Sequence, residues 1–338
     1  MSIMNVRALF AALAVPLVLL AAAACGGDDD VQIQRPATST PAPIAQTPTP
    51  DDSDLPTEFR VAFINLMSPI SLDSTNTTTS DTFDARLNLV IDQLREFKPD
   101  LVAFSEATKT NVHGSVEDRL VKELKLESVY IVAKPWYVGL SKDQNAAIAQ
   151  QVGFQEGELV LVRSDRFPIL GYEKMWLNPR TSEAEGPGAI HVKVKGPPSV
   201  GEIDVFVSHL TGPDPKVRAQ QATSFAQFIK AKKGAGPTIV AGDFGDPAGT
   251  PTQQAFLDIG LSDILEASGL LTCCRESVAG EQPVVTERTD YILSSQWMPS
   301  ALGLFADQPK KLEDGQVLYA SDHNGLTASF PIGPPPGP

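Results

Sequence analysis

At six places in this sequence, polar side chains stand where an apolar run stops or starts, and their types suit acid–base chemistry around a hard cation. The runs at residues 61–64, 101–104, 205–207 and 238–241 are followed, at once or after one or two residues, by Asn65, Glu106, His209 and Asp243. Asp290 opens the run at 291–293, and Asp322 and His323 precede the run at 326–330. Carboxylate and amide oxygens are the ligands that magnesium-type ions take, and an imidazole beside a carboxylate accepts or delivers a proton near neutral pH.

Singly, such residues are turn formers or solvated loop groups. Their shared placement carries the reading. If the four runs are strands lying side by side in the parallel sense, their carboxyl ends collect at one edge of a sheet, where open α/β sheets bind ligands. An antiparallel strand starts where its parallel neighbours stop, so Asp290 and the Asp322–His323 pair reach the same edge in a mixed sheet.

The surrounding pattern supplies those elements. Phe83, Leu87, Val90, Ile91, Leu94 and Phe97 recur at the spacing of one helical face, closed by Lys98 and Pro99. Val217, Phe225, Phe228 and Ile229 mark a second helix. Further short apolar runs at 129–132, 159–162, 189–194 and 203–207 read as strands. Residues 134–154 show no clear period and are expected to form a long loop. Many strands and few helices exclude a fully alternating βα fold and predict a mixed sheet system in one domain.

The chain has 338 residues, 42% of them apolar, which supports a sizeable core and excludes a disordered or collagen-like polymer. Its net charge is −14, and residues 1–60 hold three basic and seven acidic side chains, so the remainder keeps about −10. That argues against nucleic-acid binding through a bulk positive field, although a local basic groove would still hold phosphate. The three cysteines are too few for a disulfide framework and lack the paired spacing of a zinc site. Cys273 and Cys274 are adjacent, and are either bonded to each other or reduced and buried. His113 and His191 match no motif, and His191, in an apolar run, reads as structural. Trp136, Tyr137 and Trp176 fit a lipid- or base-binding edge, loop anchors or core packing equally well.

The amino terminus reads as an export signal. Arg7 precedes an apolar run ending in Ala22, Ala23, Ala24 and Cys25, the pattern of small residues before a cleavage point. Residues 1–24 are expected to be a lipoprotein signal peptide and Cys25 the acylated residue, although Ala22 departs from the leucine usual in such boxes. Ordinary cleavage before Cys25 and an uncleaved anchor are the alternatives. Residues 25–57, acidic and rich in Pro and Thr, cannot bury enough surface to offset their ordering entropy and read as an extended tether. Residues 333–338 are expected to be a disordered tail.

The strings Val61-Ala62-Phe63-Ile64-Asn65, Pro99-Asp100-Leu101-Val102-Ala103-Phe104-Ser105-Glu106, Ser208-His209-Leu210, Gly242-Asp243-Phe244, Arg288-Thr289-Asp290-Tyr291 and Ser321-Asp322-His323 resemble, in order and spacing, the endonuclease/exonuclease/phosphatase superfamily. Arg218 and Gln221 after His209, and the Gly260-Leu261-Ser262-Asp263 return, fit the same pattern. The resemblance spans residues 58–332 and implies a four-layer sandwich, two mixed β-sheets face to face and covered by α-helices. It also implies a divalent-metal-dependent phosphoesterase using Mg2+ or Mn2+, with Glu106 as main metal carboxylate and Asn65 and Asp322 nearby. Asp290 would orient His323, which takes a proton from the attacking water. Asp243 would position that water or stabilise developing charge, and His209 would bond phosphoryl oxygens or protonate the leaving group. The expected substrate is a phosphate ester, whether phospholipid head group, nucleotide or nucleic acid, met outside the cytoplasm at a membrane reached through the lipid anchor. No protein partner is implied.

One position departs from the family. Gly245 stands where its Gly-Asp-Phe-Asn motif places an asparagine that contacts phosphate, and the adjacent Asp246 would repel the same phosphate. Losing one such donor costs about 3–4 kcal/mol of transition-state stabilisation. The alternative is therefore a degenerate member that acts as a surface binding lipoprotein. Tyr130, Tyr137 and Arg180 are candidates for the tyrosine and arginine that some branches place between the Glu and His motifs.

Overall fold

A computed structural model describes residues 56–69, 82–137, 139–182, 184–280, 284–295 and 297–333, all within the unit Pro50–Pro338. The residues expected to form the signal peptide, Cys25, the expected tether up to residue 55 and the expected tail from 334 lie outside the described residues. Among the described residues, no helix is long and apolar enough to cross a membrane.

The chain begins with β1 (Glu58–Asn65), α1 (Phe83–Phe97), β2 (Leu101–Thr110), β3 (Gly114–Ser115), α2 (Val116–Leu124), β4 (Glu127–Lys134), α3 (Lys142–Val152) and β5 (Phe154–Val162). It continues with β6 (Ile169–Trp176), β7 (Gly188–Lys195), β8 (Glu202–His209), α4 (Pro215–Lys232), β9 (Thr238–Asp243), α5 (Pro251–Leu257) and β10 (Ser262–Asp263). The last strands are β11 (Asp290–Ser294), β12 (Ala301–Phe305), β13 (Lys310–Lys311), β14 (Val317–Leu318) and β15 (Gly325–Pro331). One sheet has the order β12-β15-β1-β2-β5-β4 with β3 beside β2, the second β10-β11-β9-β8-β7-β6, and β13 and β14 form a small ribbon. Each large sheet has one parallel pair near its centre, β1 with β2 and β8 with β9, and antiparallel neighbours elsewhere.

The unbroken apolar runs follow from burial on both faces of these strands. Val61 and Phe63 point between the sheets, where they meet Val205, Val207, Ile239 and Ala241 of the other sheet. Ala62 and Ile64 point the other way, onto Leu87, Val90, Ile91 and Leu94 of α1. On the far side Phe206 and Val240 pack against Phe225 and Ile229 of α4. The result is a four-layer α/β sandwich. Truncating Phe63, which is fully buried, to Ala would cost about 3–5 kcal/mol.

Helix ends are locally encoded. Lys98 closes α1 in the left-handed conformation, its N–H bonded to Leu94 O, and Pro99 prevents continuation. Asp214 caps α4 and Pro215 occupies its first turn.

Three expectations are corrected. Residues 134–154 are not one loop: β4 runs to Lys134 and α3 fills most of the remainder. That helix lacks a strong apolar stripe, but Ser141 and Gln144 form a reciprocal capping box and Gly153 closes it at φ 73°. Glu106 does not end its strand, because β2 continues to Thr110 through a bulge between Phe104 and Ala107. Cys274 is exposed, although Cys273 beside it is buried.

Candidate active site

Strand ends, the bulge in β2 and the turn before β15 bring Asn65, Glu106, His209, Asp243, Asp290 and His323 into one network. In-register pairing sets Asp290 opposite Asp243, and His209 opposite Asp243 on the other side. Asn65, the last residue of β1, links the two sheets: its Nδ2 donates to Glu106 Oε1 at 3.1 Å and to Asp243 Oδ2 at 3.0 Å. Its Oδ1 accepts the Met67 N–H at 2.9 Å, which fixes the amide orientation.

Glu106 holds a φ of 57°, a left-handed conformation that non-glycine residues adopt at a cost of about 1–3 kcal/mol. The bulge turns its carboxylate toward Asn65 and the Ser68 N–H, which donates to Oε2 at 2.6 Å. Burial pushes the carboxyl upward, yet the charge of His209, the Ser68 N–H, Lys134 and the Asn65 amide hold it below the usual range.

Asp290 Oδ2 meets His323 Nδ1 at 2.8 Å, and the Asp290 N–H donates to Thr272 Oγ1. The opposite ring nitrogen, His323 Nε2, lies 3.7 Å from Asp243 Oδ2, and His209 Nε2 approaches the same oxygen at 3.6 Å. Asp243 Oδ1 accepts the Gly245 N–H at 2.9 Å. Burial would raise Asp243, but His323, His209, Asn65 and Gly245 lower it. Burial would lower His323, but Asp290, Asp243 and Asp322 raise it well above an ordinary histidine and favour the imidazolium form. His209 is raised in the same way by Asp243, Glu158 and Glu106 against its own burial. Burial pushes Asp290 and Asp322 upward, with Asp243's charge adding to the first and Glu106's to the second.

Four charged residues of this neighbourhood were not read from the sequence. Glu156 and Glu158 lie two apart on β5 and are both buried. Burial and the charge of Glu106 push them up to about 7 and about 8. Lys134 ends β4 and pairs with Glu156 at 3.4 Å and Glu185 at 2.9 Å. Arg86, on the buried face of α1, donates to the carbonyls of Leu66, Met67 and Ala320 and sets a positive charge beneath Asp322 and Glu106. A charged residue on an otherwise apolar helical stripe, and acids at alternate positions of a strand, were the available signals.

The residues fit a hard divalent cation by their chemistry. Glu106, Asp322, Glu156 and Glu158 gather carboxylate oxygens in a buried field, and Glu158 Oε2 and Asp290 Oδ1 have no hydrogen-bond partner. Among the described residues two groups place three donor atoms within 4.8 Å of one another, Asp243–Asp290–His323 and Cys273–Cys274–His323; Glu106 belongs to neither.

Other residues singled out in the sequence are accounted for outside the network. Asp246 turns away from it, accepting from Arg218 at Oδ1 and from Thr252 Oγ1 at Oδ2. Gln221 bonds the Thr211 N–H and Pro179 O, and Asp263 pairs with Arg288. His191 bonds Asp204 at 2.7 Å and stacks on Phe206, and His113 pairs with Asp84. Tyr130 donates to Ala107 O, Arg180 to Trp136 O, and the Tyr137 backbone bonds Asn145. Trp136 and Trp176 stack at 4.3 Å beside a cavity of about 570 Å³ that Tyr130, Tyr172, Lys109 and Lys174 also line.

This architecture is the endonuclease/exonuclease/phosphatase fold. A structure of a protein of that family from Bacteroides thetaiotaomicron is 18% identical with a TM-score of 0.61, the match covering 82% of this chain and 99% of that one. A mannosyl-6-phosphatase from the same species is also 18% identical at a TM-score of 0.61, over 81% and 100% of the two chains. The human Nocturnin catalytic domain with bound sulfate is 19% identical at 0.56, over 81% and 93%. No family model and no curated protein matches the chain.

Proposed function

We propose that this chain is a divalent-metal-dependent phosphoesterase of the endonuclease/exonuclease/phosphatase superfamily, hydrolysing a phosphodiester or phosphomonoester by in-line attack of water. The observation that supports this reading best is the buried Asp290–His323 pair, whose second ring nitrogen, Nε2, faces the Asp243 carboxylate that His209 and Asn65 also contact. The bond from His323 Nδ1 to Asp290 fixes the ring so that Nε2 takes the proton of water held by Asp243. Because three carboxylates favour the imidazolium, His323 acts as a base only when added positive charge among them offsets their field. Mg2+ or Mn2+, held by Glu106 with Asp322 and, once its amide turns, Asn65, would polarise the phosphoryl group. His209, on the opposite side of Asp243, would bond the phosphoryl oxygens or deliver a proton to the leaving group.

The substrate is proposed to be a phosphate ester outside the cytoplasm, either a lipid head group, a nucleotide or a nucleic acid, with the chain tethered through acylated Cys25. Gly245 favours a second reading, a binding lipoprotein without turnover. A screen of the soluble domain on generic mono- and diester phosphates, with Mg2+, Mn2+, Ca2+ and chelator, separates the two. Chelator-sensitive release of phosphate or alcohol is expected, and its absence on every ester overturns the enzyme reading.

A further inference from the structure

Cys273 and Cys274 lie against the side of His323 that the chemistry above uses. The Cys273 backbone is pinned in an antiparallel bridge with Glu287, and Thr272 Oγ1 accepts the N–H groups of Thr289 and Asp290, so the segment is fixed to the start of β11. The two Sγ atoms are bonded to each other, and each lies 3.6 Å from His323 Nε2. Cys273 is buried and Cys274 exposed, so the pair is reachable from solvent.

We propose that the reduced pair, with His323 Nε2, forms a second metal site for a soft, thiophilic divalent cation such as Zn2+ or Cd2+, chemically distinct from the oxygen-lined field around Glu106. Two sulfurs and an imidazole nitrogen are the donors such ions prefer. With zinc–sulfur and zinc–nitrogen bonds of about 2.3 and 2.05 Å, a tetrahedral sulfur–nitrogen edge is about 3.6 Å. In the bonded pair both Sγ atoms already lie 3.6 Å from Nε2, and opening the bond lets them part to the sulfur–sulfur edge of about 3.8 Å that the same ion needs. The second ring nitrogen already bonds the Asp290 carboxylate, the outer partner that metal-bound histidines have. Three protein donors leave a fourth position open toward solvent at Cys274.

The site is gated by oxidation state. An external dithiol opens the sulfur–sulfur bond: two electrons and two protons pass to Cys273 and Cys274, and the dithiol leaves as its own disulfide. Binding of the cation then releases both thiol protons, along with any proton on Nε2, to solvent. With Nε2 committed to the ion, His323 no longer serves water at Asp243.

The test reads metal binding and is independent of turnover. The full chain carrying Cys25→Ser is reduced with a dithiol, desalted without oxygen and titrated with Cd2+, following the sulfur-to-cadmium charge-transfer band in the ultraviolet. One equivalent per chain is expected, with affinity falling at least 100-fold in Cys274→Ser, at least tenfold in His323→Gln and about tenfold in Asp290→Asn. Glu106→Gln should leave the titration unchanged. Equal affinity in the Cys273→Ser/Cys274→Ser chain, no effect of His323→Gln, a parallel loss in Glu106→Gln, or failure of the folded chain to yield two thiols would each overturn the site.

Discussion

Arg218 occupies the space that a side chain at position 245 would enter: a Cβ at Gly245 would stand 2.9 Å from Arg218 Cδ and 3.2 Å from its Nε. The departure from the family asparagine is thus coupled to an arginine one turn into α4, which also bonds Gly212 O and Asp246. Gly245 has a φ of 65°, which asparagine tolerates better than most residues, so sterics at Arg218 decide the outcome. Gly245→Asn alone should lower stability by about 1–3 kcal/mol and give no gain in turnover. Combined with Arg218→Ala, the asparagine gains room and turnover should rise relative to Arg218→Ala alone. Thermal melts and phosphoester kinetics of the three variants check this. A tenfold gain from the single substitution would show that Arg218 yields easily.

Glu106→Gln should abolish metal-supported hydrolysis, by about two orders of magnitude or more, while the fold persists. The amide oxygen keeps one of the two donations from Asn65 and the Ser68 N–H, its NH2 cannot accept the other, and the negative charge that a hard cation needs is lost. Magnesium titration by calorimetry alongside turnover is the measurement, and unchanged values in both would remove Glu106 from the site.

Asp290→Asn should reduce kcat by about 10³–10⁴, the scale seen when a carboxylate that orients a catalytic histidine becomes an amide. An amide nitrogen presented to His323 Nδ1 favours the wrong tautomer and removes the charge that raises the ring's proton affinity. The acid limb of the pH–rate profile should therefore move to lower pH. A loss confined to KM would contradict the role.

Asp204 provides a stability test away from the site. Burial pushes its carboxyl up, but the bonds from His191 and the Gly234 N–H, with the nearby Lys193 charge, hold it below the usual range. A lowered carboxylate contributes stability that is complete above its unfolded value and is lost as pH falls through the lower folded value. Asp204→Asn should thus be less stable at pH 7 by about 1–3 kcal/mol, with the difference shrinking as pH falls below 4. Denaturant melts between pH 7 and pH 3 measure it, and a pH-independent difference would refute the pairing argument.

Cys25→Ser should release the protein from membranes or leave an uncleaved precursor, as expected if this residue carries acyl chains. Fractionation with mass measurement decides it. Acylation persisting in the variant, or full secretion of the unaltered chain, would end the lipoprotein reading.

Much of the fold was legible because each strand end marks itself chemically: Asn65, His209 and Asp243 terminate their strands, and Asp290 opens β11. Long-range geometry was not legible. Nothing local in Phe104-Ser105-Glu106 announces that β2 bulges and continues, because a bulge is specified by the partner strand β5 as much as by its own residues. Glu156 and Glu158 went unread because they precede the apolar run at 159–162 by which β5 is recognised, and α3 escaped notice because its caps, and not a stripe, define it. The contact of Cys273 and Cys274 with His323 spans about 50 positions and depends on docking between elements distant in sequence.

The position of β15 has a consequence for biogenesis. It lies between β12 and β1, pairing Phe63 with Leu326 and Phe59 with Phe330. While the chain is being made, β1 therefore presents an apolar open edge until residues 325–331 emerge, and the first sheet cannot close before then. Such a chain completes its first sheet only after this strand is available, which makes truncation into β15 far more damaging than its seven residues suggest.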